Sequence, residues 1–526
     1  MWWSGLVAGL LALGLYAATL APGLTWAHNG ADGGDLLAAA LTHGVPHPPG
    51  YPTYQLLLRA AIALYPGEPA AAGNWLSALC AAAAVGLLTD LVRRACASVT
   101  DPSIKANGNL WRELVPLAAG LTWAASPTLW GQAVITEVYT LHALGVVLLL
   151  WLLWRWREAI RSGANLLPWL AGAGLVFGLG MGNHLSLALL LPGAAVWFWS
   201  NRPLIRSNRQ LLPWRRMGRA ALVVLGCTLL GLTTYLYLPL AASGNPPVNW
   251  GNPCTPERLW WLVSGRIYQG LVFGVSLSSL PGRLSAWVAE ALRQFGGPWG
   301  ALLAFTGLWR FDLRDHPWWR LTGLVALAYS VYAIGYKTAD SYVYLIPVWA
   351  AGALWLAEGL GAVIGRVMSV QRGRQAVQLA VVVALAALPL ASVLRYWDEM
   401  DLRGDQQARE FVEAVLAQAE PGAVILTATD EPTFALWYAL YGLGRRPDLI
   451  PLNVNLYVYP WYQETLAAWH PALVEITGNP HLPWLGELLQ RVVALRPVYR
   501  AEPLNLILPG YQEQAEGVLV RLWPAR

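Results

Sequence analysis

Two carboxylates three residues apart, Asp32 and Asp35, stand in a stretch that also holds His28, His43 and His47 and has no Lys or Arg before Arg59. On a helix, positions three apart share a face, so both acids would aim at one place. Carboxylates aimed at one place are candidates for acid–base work. The same spacing suits a helix start, with Asp32 capping a backbone N–H near Asp35 and Asp35 favouring the helix dipole. One residue can do both jobs, and spacing alone leaves the two readings level. His43 and His47 are four apart, the spacing of a helical metal pair. Gly44 and Pro46 break the helix that would align them, which leaves a divalent metal with little support. Pro48-Pro49-Gly50-Tyr51-Pro52 should run stiff and extended.

Other groups gather at what the span pattern makes the outer ends of helices. Glu137, Tyr139 and His142 begin one apolar run, and Asn183 and His184 sit between two others. At 100° per residue Tyr139 and His142 lie about 60° apart and Glu137 about 140° from His142, so Glu137 and His142 make no simple helical ligand pair. An ionisable group beside a membrane span is a functional candidate, although at the boundary it can equally be a solvated side chain. Arg258, Arg266 and Lys337 could hold a phosphate. Lys337 could instead pair with Asp340 or snorkel to the interface. Asn249 and Trp250 are further candidates, the indole offering an apolar face, although indole also serves as an interface anchor.

These residues need elements to carry them, and composition says which. Charged residues make up 12% of 526, about half the proportion in soluble proteins, while 56% are hydrophobic. That excludes disorder, coiled coil and nucleic-acid binding as whole-chain readings. With a mean hydropathy of +0.43, the chain is a membrane protein. Its 30 tryptophans agree, since indole settles at the membrane-water boundary. Basic residues are nearly all Arg, only Lys105 and Lys337 being Lys, as in a GC-rich bacterial genome. Cys80, Cys96, Cys227 and Cys254 fall in separate segments, so no disulfide framework is expected.

Apolar runs long enough to span a bilayer number about 11, near 4 to 22, 75 to 92, 114 to 130, 134 to 154, 167 to 182, 185 to 200, 220 to 240, 286 to 308, 320 to 336, 341 to 364 and 376 to 394. Alternate loops hold 19 Lys/Arg against 5, which places the N-terminus in the cytoplasm and the C-terminus outside. The first run is read as an uncleaved anchor rather than a signal peptide. The first external loop is 23 to 74, within which 51 to 65 is too short to span and reads as a helix on the membrane surface. Residues 1 to 396 then form a multi-span membrane domain and 397 to 526 an external soluble α/β domain. That domain opens with an acidic helix, a strand (423 to 427), a helix and a strand (449 to 454), a βαβ unit. Its first strand ends in Thr429, Asp430 and Glu431 without a Gly-x-Gly-x-x-Gly turn, so no dinucleotide site is indicated.

Asp32-Gly-Gly-Asp35-Leu-Leu-Ala-Ala-Ala followed by Gly44-Val-Pro-His47-Pro-Pro-Gly-Tyr51-Pro resembles the first-loop signature of the GT-C membrane glycosyltransferase family that includes transmembrane protein 260, described as a protein O-mannosyltransferase. The usual form is D-S-G-E, from which Gly33 and Asp35 depart conservatively. Further pieces follow in order: 136 to 142 (TEVYTLH), 182 to 186 (GNHLS), 245 to 253 (NPPVNWGNP), 340 to 347 (DSYVYLIP) and, more loosely, 437 to 448. The resemblance implies a mostly α, polytopic GT-C-like enzyme that takes a sugar, mannose in the family description, from a polyprenyl-phosphate carrier to a protein or glycan acceptor. It also implies a catalytic first-loop carboxylate: Asp32 first, Asp35 second, with Glu137 as the remaining outer acid. Substrate contacts are expected from His47, Tyr51, Tyr139, His142, Asn183, His184, Asn249, Trp250, Arg266, Lys337 and Asp340.

The chemistry is compatible: the acceptor hydroxyl must lose a proton as the sugar carbon passes through an oxocarbenium-like state. The donor is a substrate, and no cofactor is firmly indicated. A transporter or lipid flippase would also carry polar groups on its spans, but typically at mid-membrane and in related halves. A non-catalytic envelope assembly protein, binding through the external domain, is a third reading.

Overall fold

The computed structural model describes residues 3–99, 109–207, 214–309, 317–370, 375–503 and 511–524. The basic loops at 93 to 112, 201 to 219, 309 to 320 and 366 to 374 lie partly outside the described residues, as do the side chain of Cys96 and the C-terminal Arg526.

The chain is mostly α and polytopic. Five described helical segments are long and apolar enough to cross a membrane: Pro69–Ala95, Tyr139–Ser162, Gly218–Ser243, Ser341–Val367 and Gln375–Met400. Shorter apolar helices at Trp3–Ala17 (α1), Leu167–Met181 and Leu185–Ser200 accompany them. The largest hydrophobic core runs among these helices, and its buried members are small or aromatic as often as branched. Small residues let spans approach: a Cβ on Gly231 would stand 2.6 Å from Leu179 N and 2.7 Å from Leu175 O of the neighbouring helix.

Three expected spans have other boundaries. The run at 114 to 130 is divided, because Asn109–Ala124 ends before an extended Ser126 and Pro127 opens the short helix Pro127–Ala133. A residue before proline disfavours the helical region, which is what breaks the run. The run at 286 to 308 is divided too, into Leu280–Arg293 and Pro298–Trp309, with Gly296 (φ 74) and Gly297 (φ 104) between them. The helix expected from 134 starts only at Tyr139. Glu137 is therefore not on it, and the helical-wheel angle drawn for that residue does not apply.

The segment from 23 to 68 holds two helices, α2 (Asp32–Thr42) and α3 (Pro52–Leu64), before α4 (Pro69–Val99) begins. At 13 residues α3 is about 20 Å long, short of the hydrocarbon thickness. Beyond Met400, helix Gln407–Gln418 leads into a five-stranded sheet of order β2-β1-β3-β5-β4. Its strands are β1 (Val424–Thr427), β2 (Ile450–Asn453), β3 (Val498–Arg500), β4 (Tyr511–Glu516) and β5 (Leu519–Pro524). β1 pairs in parallel with β2, as a βαβ unit requires, and also with β3, while β5 runs antiparallel to β3 and β4. Every residue of β1 and β2 is buried, the pattern of a parallel strand covered on both faces.

Candidate active site

α2 carries both acids in its first turn, yet neither caps it: the cap position is Ala31 and no side chain accepts an end N–H. The two acids have different surroundings. Asp35 is fully buried. Its Oδ2 accepts the His47 backbone N–H at 2.8 Å and His47 Nδ1 at 2.7 Å, and its Oδ1 accepts Trp250 Nε1 at 2.9 Å. Asp32 leaves 36% of its side chain accessible and has, among the described residues, one near partner, His47 Nε2, at 3.4 Å from Oδ2.

Packing explains this division. Val45 and Asn249 form a short parallel bridge, with Val45 N–H donating to Val248 O at 2.9 Å and Trp250 N–H to Val45 O at 3.1 Å. That bridge delivers the Trp250 indole to Asp35. The His47 ring lies nearly parallel to Phe434, with centroids 6.3 Å apart and 11° between planes, and meets Tyr51 edge-on at 5.0 Å. Phe434 belongs to the helix Asp430–Trp437 that follows β1. Gly34 admits that helix: a Cβ there would lie 2.6 Å from the Phe434 carbonyl. α2 is thus clasped between the membrane helices and the C-terminal lobe.

Because a carboxylate can only accept, the proton of the short His47–Asp35 bond sits on His47 Nδ1. Burial opposes charge on this imidazole, but Asp32 and Asp35 outweigh it and raise its pKa to about 9. The Asp32 carboxyl is raised above the ordinary range, chiefly by desolvation within the walls of its cavity, with His47 lowering it and Asp35 and Asp340 adding repulsion.

Asp32 opens on a cavity of about 550 Å3. Of the residues singled out in the sequence, His47, Tyr51, Tyr139, His184 and Asp340 also line it. His142 stands one step behind: Ser186 Oγ lies 2.8 Å from His184 Nδ1 and 3.2 Å from His142 Nε2, which Tyr329 OH also approaches at 3.1 Å.

The others are elsewhere. Glu137 is buried outside the wall, its Oε2 accepting the Val138 N–H at 3.1 Å. Asn183 Nδ2 donates to Val138 O, and Asn249 Nδ2 contacts Asn252. Trp250 is 3% exposed and packs on Trp461, so its indole supports Asp35 rather than facing the cavity. Arg266 and Lys337 are exposed beside wall residues Gly265 and Thr338 without lining the cavity. Lys337 makes no ion pair with Asp340 among the described residues, and Arg258 is committed to Glu464 through two 2.8 Å bonds. His43 is not paired with His47 but turns to Arg59, whose Nη2 lies 2.5 Å from its Nδ1.

Several wall residues escaped the sequence reading. Tyr268, Tyr332, Tyr336 and Tyr344 supply an aromatic side, and Thr429, Asp430 and Glu431 come from the C-terminal lobe. The last three follow the carboxyl end of β1, where open α/β sheets place ligands. Glu502, just past β3, pins this loop by accepting Ala428 N–H at 2.6 Å and Thr429 N–H at 3.0 Å. Asp430, exposed to the cavity yet walled in, has its carboxyl pushed up to about 7 by desolvation, then by Asp32, with His47 opposing. An acidic pair ending a parallel strand was the signal available for these residues.

Residues 32–205 match the family model described as the protein O-mannosyl-transferase TMEM260 N-terminal domain. The chain is 26% identical over 507 residues to protein O-mannosyl-transferase TMEM260 of Mus musculus, covering 93% of this chain and 68% of that protein. Its fold is similar to the crystal structure of ArnT from Cupriavidus metallidurans bound to undecaprenyl phosphate, with a TM-score of 0.60 at 13% identity, over 98% of this chain and 96% of that one. It is also similar to the archaeal oligosaccharyltransferase AglB from Archaeoglobus fulgidus, in complex with an inhibitory peptide and a dolichol-phosphate (TM-score 0.52, 12% identity, 95% and 69% covered). The chain is therefore similar to the GT-C glycosyltransferase superfamily that includes TMEM260-like sequences, as its first-loop motifs led one to expect.

Proposed function

We propose that this protein is an integral membrane glycosyltransferase that moves a sugar from a polyprenyl-phosphate carrier to an acceptor hydroxyl, with Asp32 as general base. One observation carries the assignment. Of the two acids on α2, Asp32 opens on the cavity with one near partner among the described residues, whereas Asp35 is enclosed and already accepts three hydrogen bonds. The acceptor oxygen bonds to the sugar carbon as its proton passes to Asp32, and the carbon-oxygen bond to the lipid phosphate breaks with its electron pair leaving on the phosphate. Asp35 and His47 act as a positioning pair. Asp35 fixes the His47 ring plane, and His47 presents its Nε2–H toward Asp32, holding its carboxylate in place between turnovers.

The remaining roles follow the wall. Tyr51, Tyr139, His184 and Asp340 would contact the sugar or acceptor, and Arg266 and Lys337 at the rim would receive the leaving phosphate. Mannose is the sugar suggested by the relatives' description. We place residues 1 to 396 in the membrane domain and 397 to 526 in an outer lobe that helps hold the acceptor through Thr429, Asp430 and Glu431. The N-terminus is on the cytoplasmic side, and the reaction occurs on the outer face of the cell membrane.

The experiment is transfer of mannose from polyprenyl-phosphate mannose by the purified protein in vesicles, with envelope glycans and glycoproteins compared by mass spectrometry in cells with and without it. Donor-dependent transfer that survives Asp32→Asn would sink the assignment.

A further inference from the structure

A second cleft of about 550 Å3 lies at the opposite end of α2, walled by the end of α2, α3, the helix Tyr237–Ser243 and, from the C-terminal lobe, Tyr441 and Trp469. No Asp or Glu is among its wall residues, and Arg59 is the formal charge there. Among the described residues no carboxylate comes within ion-pair distance of Arg59. Its guanidinium instead contacts His43 Nδ1 at 2.5 Å and lies 5.8 Å from the Tyr237 ring. A guanidinium offers only N–H donors and keeps its proton, so the His43 nitrogen facing it carries the lone pair and the ring N–H is at Nε2. The cleft therefore presents the remaining guanidinium N–H groups and an imidazole N–H, with no opposing negative charge: the donor set for an anion.

Its surroundings say what kind of anion. Tyr237–Ser243 ends the apolar segment Gly218–Ser243, few of whose residues are buried, which leaves an apolar face for lipid. Leu236 and Leu240, one turn apart, are 62% and 71% exposed, and Leu240 is itself a wall residue of the cleft. An apolar stripe on a lipid-facing span thus runs directly to the two basic groups.

We infer that this cleft binds an anionic phospholipid of the surrounding bilayer, with the headgroup phosphate on Arg59 and His43 and an acyl chain along Leu236 and Leu240. The donor's phosphate is a separate group. On the reading above it leaves from a carbon beside Asp32, and the 11 residues of α2 separate that end from this one by roughly 16 Å.

The test reconstitutes the full chain in vesicles of equal phosphatidylglycerol and phosphatidylcholine, recovers it in mild detergent and quantifies retained lipid by mass spectrometry, so it does not depend on transfer activity. Wild type should retain phosphatidylglycerol about fivefold over phosphatidylcholine, the scale of one basic residue at an anionic surface. Arg59→Gln should fall to the bulk ratio, Arg59→Lys should keep most of the preference, and Arg395→Gln, near the end of another span, should not change it. No enrichment in wild type overturns the proposal even if Arg59→Gln does not fold. Equal enrichment in wild type and Arg59→Gln overturns it as well. Displacement of the retained lipid by inorganic phosphate alone would show a free-phosphate site and overturn the lipid assignment.

Discussion

The two ends of α2 hold opposite chemistries. Around its first turn stand Asp32 and, across the cavity, Asp340, Asp430 and Glu431; beyond its last turn stand His43 and Arg59. The helix favours both arrangements, because its N-terminus carries partial positive and its C-terminus partial negative charge, worth about 0.3–1 kcal/mol per matched group. Folding alone can therefore separate the acids from the bases, and the separation selects ligands. An acidic cavity suits a reaction whose sugar carbon becomes positive in the transition state and repels bare anions, so on the proposed mechanism the donor's phosphate would sit at the rim, near Arg266 and Lys337. The basic cleft suits a group that stays anionic throughout.

The most damaging way to break this contrast is to remove the charge at the acidic end alone. Asp32→Asn keeps size and hydrogen-bonding capacity but cannot accept a proton at neutral pH. Transfer should fall by roughly 100-fold to 10,000-fold, the range for a general base, while binding of the lipid donor persists. Arg59→Gln should leave transfer near wild type in single-turnover assays. Comparable losses in both variants would mean that the two ends do not have separate tasks.

The neighbouring acid tests the same end by stability instead of rate. Asp35→Ala would strand the His47 backbone N–H, His47 Nδ1 and Trp250 Nε1, three buried donors now satisfied by one carboxylate. Thermal unfolding in detergent should show a loss of about 3–5 kcal/mol, the cost of breaking a buried charged pair. Trp250→Phe removes one of those bonds and should cost about 1–3 kcal/mol. A strain of comparable size enters at Gly34→Ala, whose Cβ meets the Phe434 carbonyl at 2.6 Å. Backbone cannot swing aside as a side-chain tip can, so this variant should lose about 1–3 kcal/mol by overpacking. Near-normal stability in Gly34→Ala would mean that the lobe is not seated on α2 as described.

How far the sequence could show this arrangement depended on the range of the forces involved. The pairing of β1 with β2 was legible because alternating and continuous apolar patterns are local, and α3 was legible from its length. The motifs around Asp32, His47, Asn249 and Asp340 could be expected at one end of the spans, but their mutual positions could not. The bridge from Val45 to Asn249 joins segments some two hundred residues apart, and nothing in NPPVNWGNP says that its indole will take up one Asp and leave the other free. Spacing kept the helix-cap reading of Asp32 alive. Only the fold shows that Ala31 is the cap position and that His47 occupies both acids. Phe434 and the Thr429 to Glu431 loop were hidden for a related reason: they reach the cavity through the docking of a whole lobe, which no periodicity within that lobe encodes. The broken spans at 125 to 126 and 294 to 297 failed differently, since apolar composition passes smoothly through a backbone turn that Pro127, Gly296 and Gly297 impose.

The finest test of the acidic end is the pH at which it loses activity. On the proposed mechanism transfer requires ionised Asp32, so activity should fall as pH drops through its pKa, which desolvation sets above the ordinary carboxylate value. His47, positively charged at neutral pH because Asp32 and Asp35 outweigh its burial, stabilises that ionised form. Replacing it in His47→Gln withdraws the stabilisation, raises the Asp32 pKa further and should move the acid limb of the kcat/KM profile to higher pH. Asp340 acts with the opposite sign, since its charge repels that of Asp32. Asp340→Asn should move the limb to lower pH, and by less than His47→Gln moves it upward, because the His47 contribution is the larger of the two. Opposed shifts of unequal size would tie the limb to Asp32 through two neighbours on different elements. A limb that moved the same way in both variants would belong to another group in the cavity, of which Asp430, with its carboxyl near 7, is the first to examine.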